Sequence, residues 1–475
     1  MLDYRVRSEW RAVAVVIVLL ACARGSAADL EQGGGPSGVA ASAPVRLAVF
    51  DVDATPPLGA RMAYRDVERA AELPLRCRGI VLLGAGEPIV LCCLDWIAIG
   101  NGGHDAFREG LAAAAGTRPE RVAVHTTHAH DAPYCDLSAA EIAAAHRPGV
   151  FRRLDDTLPR DVIARTAAAI REALPAARPA THWGCGRAPV TEVASNRRLI
   201  GADGKVRHWR ASATAEPALR AEPEGLIDPF VTALVFWHEA EPLAVLTAYA
   251  CHPQSYYRTG TPSVDFPGIA RFIRSQDVPA ALHVHFDGAG GDIAAGKYND
   301  GSHANRMRLA TRLAAGMRQA FEMAKRQPLV AADVGWSTAA ARLEPAAHLD
   351  REALLAELKA ANADRGPYAA PERLSWLERA GQGRPLLVTC LRVGTVRMLH
   401  LPGELFVAYQ LAAQRMRPDL DVMVAAYGDI GPGYIGTAAA YAEGGYELQP
   451  KTSFVDARAE PVLHEAIRTL LEVQP

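Results

Sequence analysis

The chain has 475 residues, 22% of them charged and 49% hydrophobic, the proportions of a globular protein with a large core. A formal net charge of −2 lacks the basic excess that a phosphate backbone demands, which excludes nucleic acid as a partner. Eight cysteines contain no Cys-x-x-Cys pair of pairs, which argues against a thiolate zinc site.

Arg5, Arg7 and Arg11 precede the apolar run from Ala12 to Ala23, and the small residues Gly25, Ser26, Ala27 and Ala28 follow. Charged, apolar and small residues in that order read as a secretory signal over 1–28, cleaved near Ala28. The apolar run is short of the roughly 20 residues that span a bilayer. Leu19-Leu20-Ala21-Cys22 also resembles a bacterial lipoprotein box. The expected destination is therefore export, periplasmic or secreted, with lipid anchoring at Cys22 as the alternative. Residues 29–44 are rich in Gly, Ala and Ser and read as a disordered leader. From 45 to 475 no linker, internal repeat or long charge run is visible, and one domain is expected.

Within it, apolar β-rich segments recur at 45–52, 79–83, 89–94, 121–125, 232–237, 244–251, 281–286, 388–399 and 421–427. Helical periodicity appears at 104–115, 158–174, 268–274, 304–325, 351–361 and 405–415. This alternation predicts an α/β fold, a mixed β-sheet core covered by helices on both faces. Adjacent Cys92 and Cys93 in an apolar run read as buried thiols. An exported protein would permit one or two disulfides.

Five predicted strands end in polar, turn-rich segments, where open α/β sheets place their sites. The first runs into Thr127-His128-Ala129-His130-Asp131, with two histidines that point to the same side of an extended segment. Others end at His252-Pro253, at Asp287-Gly-Ala-Gly-Gly-Asp292, at Pro402-Gly403-Glu404 and at Gly431-Pro-Gly-Tyr434. Singly, each has a structural reading: a turn histidine, a strand-end histidine, a first-turn carboxylate favoured by the helix dipole, a turn aromatic. His125 reads as a core histidine. Leaving one edge of one sheet together, imidazole, carboxylate and phenol groups suit a borderline metal such as zinc. The stretch from Gly291 to Lys297 has phosphate-loop spacing, but Tyr298 stands where Ser or Thr belongs, so nucleotide binding is rejected.

These segments resemble the neutral/alkaline (non-lysosomal) ceramidase family over residues 45–455. The likeness rests on Val52-Asp53-Ala54-Thr55-Pro56-Pro57-Leu58-Gly59, Thr127-His128-Ala129-His130-Asp131-Ala132-Pro133, Ala250-Cys251-His252-Pro253, Asp265-Phe266-Pro267-Gly268, Leu401-Pro402-Gly403-Glu404 and Gly433-Tyr434-Ile435-Gly436-Thr437, in family order. The resemblance implies one zinc per chain bound by His128, His252, Glu404 and Tyr434. It implies that His130 faces the substrate, that Arg197 reaches the site, and that Tyr441 and Tyr446 lie near the substrate. Two departures stand out. Ala294 occupies the place of the family's serine and cannot be a nucleophile, so either zinc-activated water attacks or the substrate differs. The chain also ends soon after the tyrosine segment, so no C-terminal β-sandwich domain is expected. The expected activity is hydrolysis of N-acyl amides, with a lipid or small-molecule substrate and room for peripheral membrane contact. A non-catalytic relative that binds a lipid or carbohydrate is the alternative. Oligomeric state is not legible.

Overall fold

Strand Ile89–Leu94 is buried at every position because its two faces serve two cores. Val90, Cys92 and Leu94 point into one apolar cluster, and Ile89, Leu91 and Cys93 into another. Near-continuous apolar runs of this kind mark strands covered on both faces. A computed structural model describes residues 44–472, so the predicted signal at 1–28 and nearly all of the leader at 29–44 lie outside the described residues.

The predicted single mixed sheet is replaced by three main sheets, each built the same way. In the first, Arg46–Asp53, Arg76–Leu83 and Ile89–Leu94 form an antiparallel meander, and Val122–Thr126 lies parallel to the last strand. In the second, His182–Pro189, Phe230–His238 and Glu241–Tyr249 form the meander, and Leu282–Asp287 is the parallel addition. In the third these places are taken by Val334–Ala341, Leu386–Val393, Val396–His400 and Asp421–Ala425. A parallel fourth strand needs a crossover. The crossover helices are Asn101–Ala115, Asp265–Asp277 and Val407–Met416. A further helix in each unit returns over the first strand: Thr157–Ala173, His303–Met323 and Ala459–Leu470. At Gly186 a Cβ would come within 1.9 Å of the Ala320 carbonyl, so glycine is what lets the second return helix approach its strand.

The chain is thus a threefold repeat of architecture, although no repeat is visible in its sequence. The inner faces of the three sheets share one core, with Leu91 from the first, Phe236 and Phe286 from the second, and Leu391 and Met398 from the third. Helices cover the outer faces only, which corrects the expectation of helices on both faces of one sheet. The predicted strand at 388–399 is a hairpin, Leu386–Val393 and Val396–His400. All seven cysteines among the described residues are free thiols, Cys92 and Cys93 both buried. No helix among the described residues is long and apolar enough to cross a membrane.

The parallel strand pairs of the three units end at one place. Thr126 donates its N–H to the Tyr427 carbonyl (3.0 Å), and Ala426 donates to the Asp287 carbonyl (2.9 Å), tying the strand exits together. The candidate residues leave from these exits, so they come from three sheets rather than from one edge of one sheet.

Candidate metal centre

His128 leaves the fourth strand of the first unit with a left-handed backbone, φ 60°. Its Nδ1 lies 2.6 Å from the Ile97 carbonyl. His252 follows the third strand of the second unit, and its Nδ1 lies 2.9 Å from the Gly290 carbonyl. A carbonyl only accepts, so each Nδ1 carries the proton and each Nε2 presents a bare lone pair. The two Nε2 atoms stand 3.1 Å apart. Glu404 Oε2 completes a triangle, 3.3 Å from His128 Nε2 and 3.1 Å from His252 Nε2. It has no hydrogen-bond donor.

Three acceptors facing one another without a donor, all buried, repel unless a cation stands among them. The triangle also has the right size. A tetrahedral ion with bonds of about 2.0–2.1 Å separates its ligand atoms by about 3.3 Å. His130 could join the two histidines in holding a metal, since one nitrogen from each lies within 4.8 Å of the others. The set with Glu404 is the tighter one. His130 Nδ1 is committed to the His128 carbonyl at 3.0 Å, which leaves its Nε2 free.

Glu404 was expected to open a helix. Instead Glu404–Leu405 is a short strand parallel to Tyr434–Ile435, and the helix begins at Val407. Glu404 and Tyr434 are register partners in that ladder, which sets side by side two residues 30 apart in sequence. Gly403, at φ 70°, makes the turn into it. Tyr434 Oη accepts from Arg197 Nη2 at 3.2 Å, and Arg197 Nε lies 3.3 Å from Glu447 Oε1. Burial opposes the Arg197 charge, but Tyr434 and Glu447 outweigh it and hold the guanidinium protonated. Burial, with Arg197 nearby, pushes His252 down to about 4. His130 is pushed well below the usual imidazole range, first by burial and then by His128 and His252.

His128, His130, Arg197, Glu404 and Tyr434 all line one cavity of 660 Å³, and His252 stands behind them. Tyr441 stands apart, its hydroxyl 2.8 Å from Ser453 Oγ and donating to the Val455 carbonyl at 3.1 Å; Tyr446 lines the cavity. Ala294 is fully buried, bridged to His252 through the backbone, and does not line the cavity. Lys297, from the rejected phosphate loop, donates to the carbonyls of Arg220 and Glu222.

Several tyrosines around the site escaped the sequence reading. Tyr368 donates its hydroxyl to Glu404 Oε1. Tyr427 stacks on His128 with ring centroids 4.5 Å apart, and Tyr64 stacks on His130 at 6.0 Å. Tyr427 ends a predicted strand and Tyr368 follows Gly366-Pro367, so strand exits and turns were the available signals. Four of the nine non-glycine residues with positive φ among those described, His128, Arg258, Tyr368 and Tyr427, belong to the site or touch it. Strained backbone gathers where function holds it.

The architecture is that of neutral ceramidases. The crystal structure of the neutral ceramidase from Pseudomonas aeruginosa matches with a TM-score of 0.65 at 15% identity, over 91% of this chain and 75% of that one. A ceramidase complexed with C2 matches with a TM-score of 0.64 at 15% identity, over 91% of this chain and 76% of the other. No protein-family model and no curated protein sequence matches the chain.

Proposed function

We propose that the chain is an exported zinc-dependent hydrolase of N-acyl amide bonds, with one zinc ion held by His128, His252, Glu404 and Tyr434. The observation that carries this reading is the buried triangle of His128 Nε2, His252 Nε2 and Glu404 Oε2, which has ligand spacing and no donor. When bound, zinc supplies a Lewis acid for an acyl carbonyl and acidifies water. His130, neutral and with Nε2 free, accepts a proton from the attacking water and returns it to the leaving amine. Burial pushes the Tyr434 phenol well up; Arg197 holds its charge against the Tyr434 oxygen and works against that shift, toward the phenolate that a metal ligand requires. Ala294 lies off the cavity, which supports attack by water rather than by a side chain. Export rests on the charged, apolar and small residues of the first 28 positions. The ceramidases that share the fold make N-acyl amides the substrate class to screen, ceramide included.

The test is elemental analysis of the wild type and of His128→Ala/His252→Ala, with hydrolysis of an N-acyl amide panel alongside. One zinc per chain and turnover, both lost in the variant, is the expected result. No metal in the wild type would refute the centre. Metal without turnover would favour the binding-protein reading.

A further inference from the structure

The cavity that holds the site carries seven charged side chains, five cationic and two anionic, and they divide unevenly. Arg197 is paired with Glu447, and Arg373 with Glu357. Glu404 belongs to the metal triangle. Arg258, Arg365 and Lys451 are left over, and among the described residues none of their side chains makes a hydrogen bond or an ion pair. All three are exposed. The cavity opens through a cationic rim with no opposing carboxylate of its own.

Arg258 is built into the site rather than dangling from it. Its guanidinium lies 5.0 Å from the Tyr64 ring centroid and 5.1 Å from that of Tyr257, within cation–π range of both. The same two rings pack against His130, at 6.0 and 5.3 Å, and so connect the cation to the catalytic imidazole. Arg258 also has φ 65°, a conformation that glycine adopts more cheaply. Asp131, next to His130 in sequence, holds that turn by accepting the Arg258 N–H at 2.8 Å and the Thr259 hydroxyl at 2.7 Å. The cavity lining is rich in rings, Tyr64, Trp209, Tyr257 and Tyr446 among them, and among the described residues Ile97 is its only large aliphatic side chain. Ring faces and positive charge recognise compact anions with a planar or cyclic part.

We infer that the substrate is a small N-acyl amide whose amine half carries a carboxylate, bound with its amide at the metal triangle and its carboxylate at Arg258, Lys451 and Arg365. This rests on the proposed hydrolase reading and narrows its substrate class. The overall reaction is balanced by water alone: the amide C–N bond breaks, a C–O bond forms, and the proton goes to the leaving amine.

A matched pair tests it, N-acetyl-phenylalanine against N-acetyl-phenylalaninamide, which differ in the carboxylate. With zinc-loaded protein at low salt, kcat/KM should favour the acid by about tenfold, from several exposed charges each contributing a few-fold. The preference should shrink at 0.5 M NaCl, about where screening removes exposed charge pairs, and fall toward parity in Arg258→Gln/Lys451→Gln. A wild-type ratio at or below one would overturn the inference and leave the hydrolase reading standing. If neither compound is cleaved, the hydrolase reading fails for this pair, and calorimetric binding of the two to the full chain decides the inference separately. Tighter binding of the acid, lost in the double variant, would sustain it; equal or absent binding would overturn it.

Discussion

Replacing Glu404 by Gln keeps the shape of the side chain and changes what it offers to two histidines. In the wild type, Oε2 faces His252 Nε2 at 3.1 Å and His128 Nε2 at 3.3 Å, three acceptors without a donor. An amide NH2 in that place donates to one or both nitrogens. A buried acceptor left unsatisfied costs about 1–3 kcal/mol, so satisfying one or two should stabilise metal-free Glu404→Gln by about 2 kcal/mol relative to metal-free wild type. Zinc should reverse the order. A ligand at 1,000 times its Kd adds about 4 kcal/mol to the protein that binds it, and the variant has lost the anionic ligand. Thermal melting of chelated protein, with and without added zinc, reads both effects. The variant should melt above the wild type without metal and below it with metal. Curves that do not cross, or equal stabilisation of both proteins by zinc, would refute the argument that a cation belongs in the triangle.

Tyr368→Phe removes the hydroxyl that orients Glu404 and should weaken zinc binding by about 10–100-fold, as loss of a ligand's supporting partner does; competition with a chromophoric chelator measures it. Gly186→Ala drives a methyl against the Ala320 carbonyl, a 1.9 Å approach, and should destabilise by about 1–3 kcal/mol as overpacking, seen as a lower Tm. Burial pushes His285 down to about 3, so the folded protein keeps it neutral while the unfolded chain protonates near pH 6.5. Its contribution is full above pH 6.5 and is lost as pH falls from 6.5 toward 3. At pH 5 the loss is about 2 kcal/mol, so the Tm drop from pH 7 to pH 5 should be smaller in His285→Gln.

The strand exits that carry His128, His252, Glu404 and Tyr434 were legible because Gly and Pro punctuate them after apolar runs. The pairing of Glu404 with Tyr434 was not, since register between distant two-residue strands leaves no periodic trace. The triplication was hidden by its outer strands. His182–Pro189 and Val334–Ala341 are rich in Gly, Ala and polar residues, with several positions exposed, and neither reads as a strand by propensity. Helix Ala370–Gly381 did carry a sign, a proline in its first turn. Helix Leu137–His146 did not, because alanine occupies five of its ten positions and blurs the apolar stripe. Tyr441 lay in the right segment, but its hydroxyl is consumed by Ser453 and Val455. Chain proximity to Tyr434 could not reveal that.

The three units meet at their hydrogen-bonded strand exits, and each sends different chemistry to the meeting point: His128 from the first, His252 from the second, Glu404 and Tyr434 from the third. No unit alone offers more than two of these groups. A cation bound there would act as a rivet through three plates, and its grip would measure how well the plates are aligned. Any substitution that loosens one unit against its neighbours, however far from the cavity, should register as weaker metal retention before it registers as unfolding. Metal release would then be a gauge of tertiary docking as much as a property of four side chains.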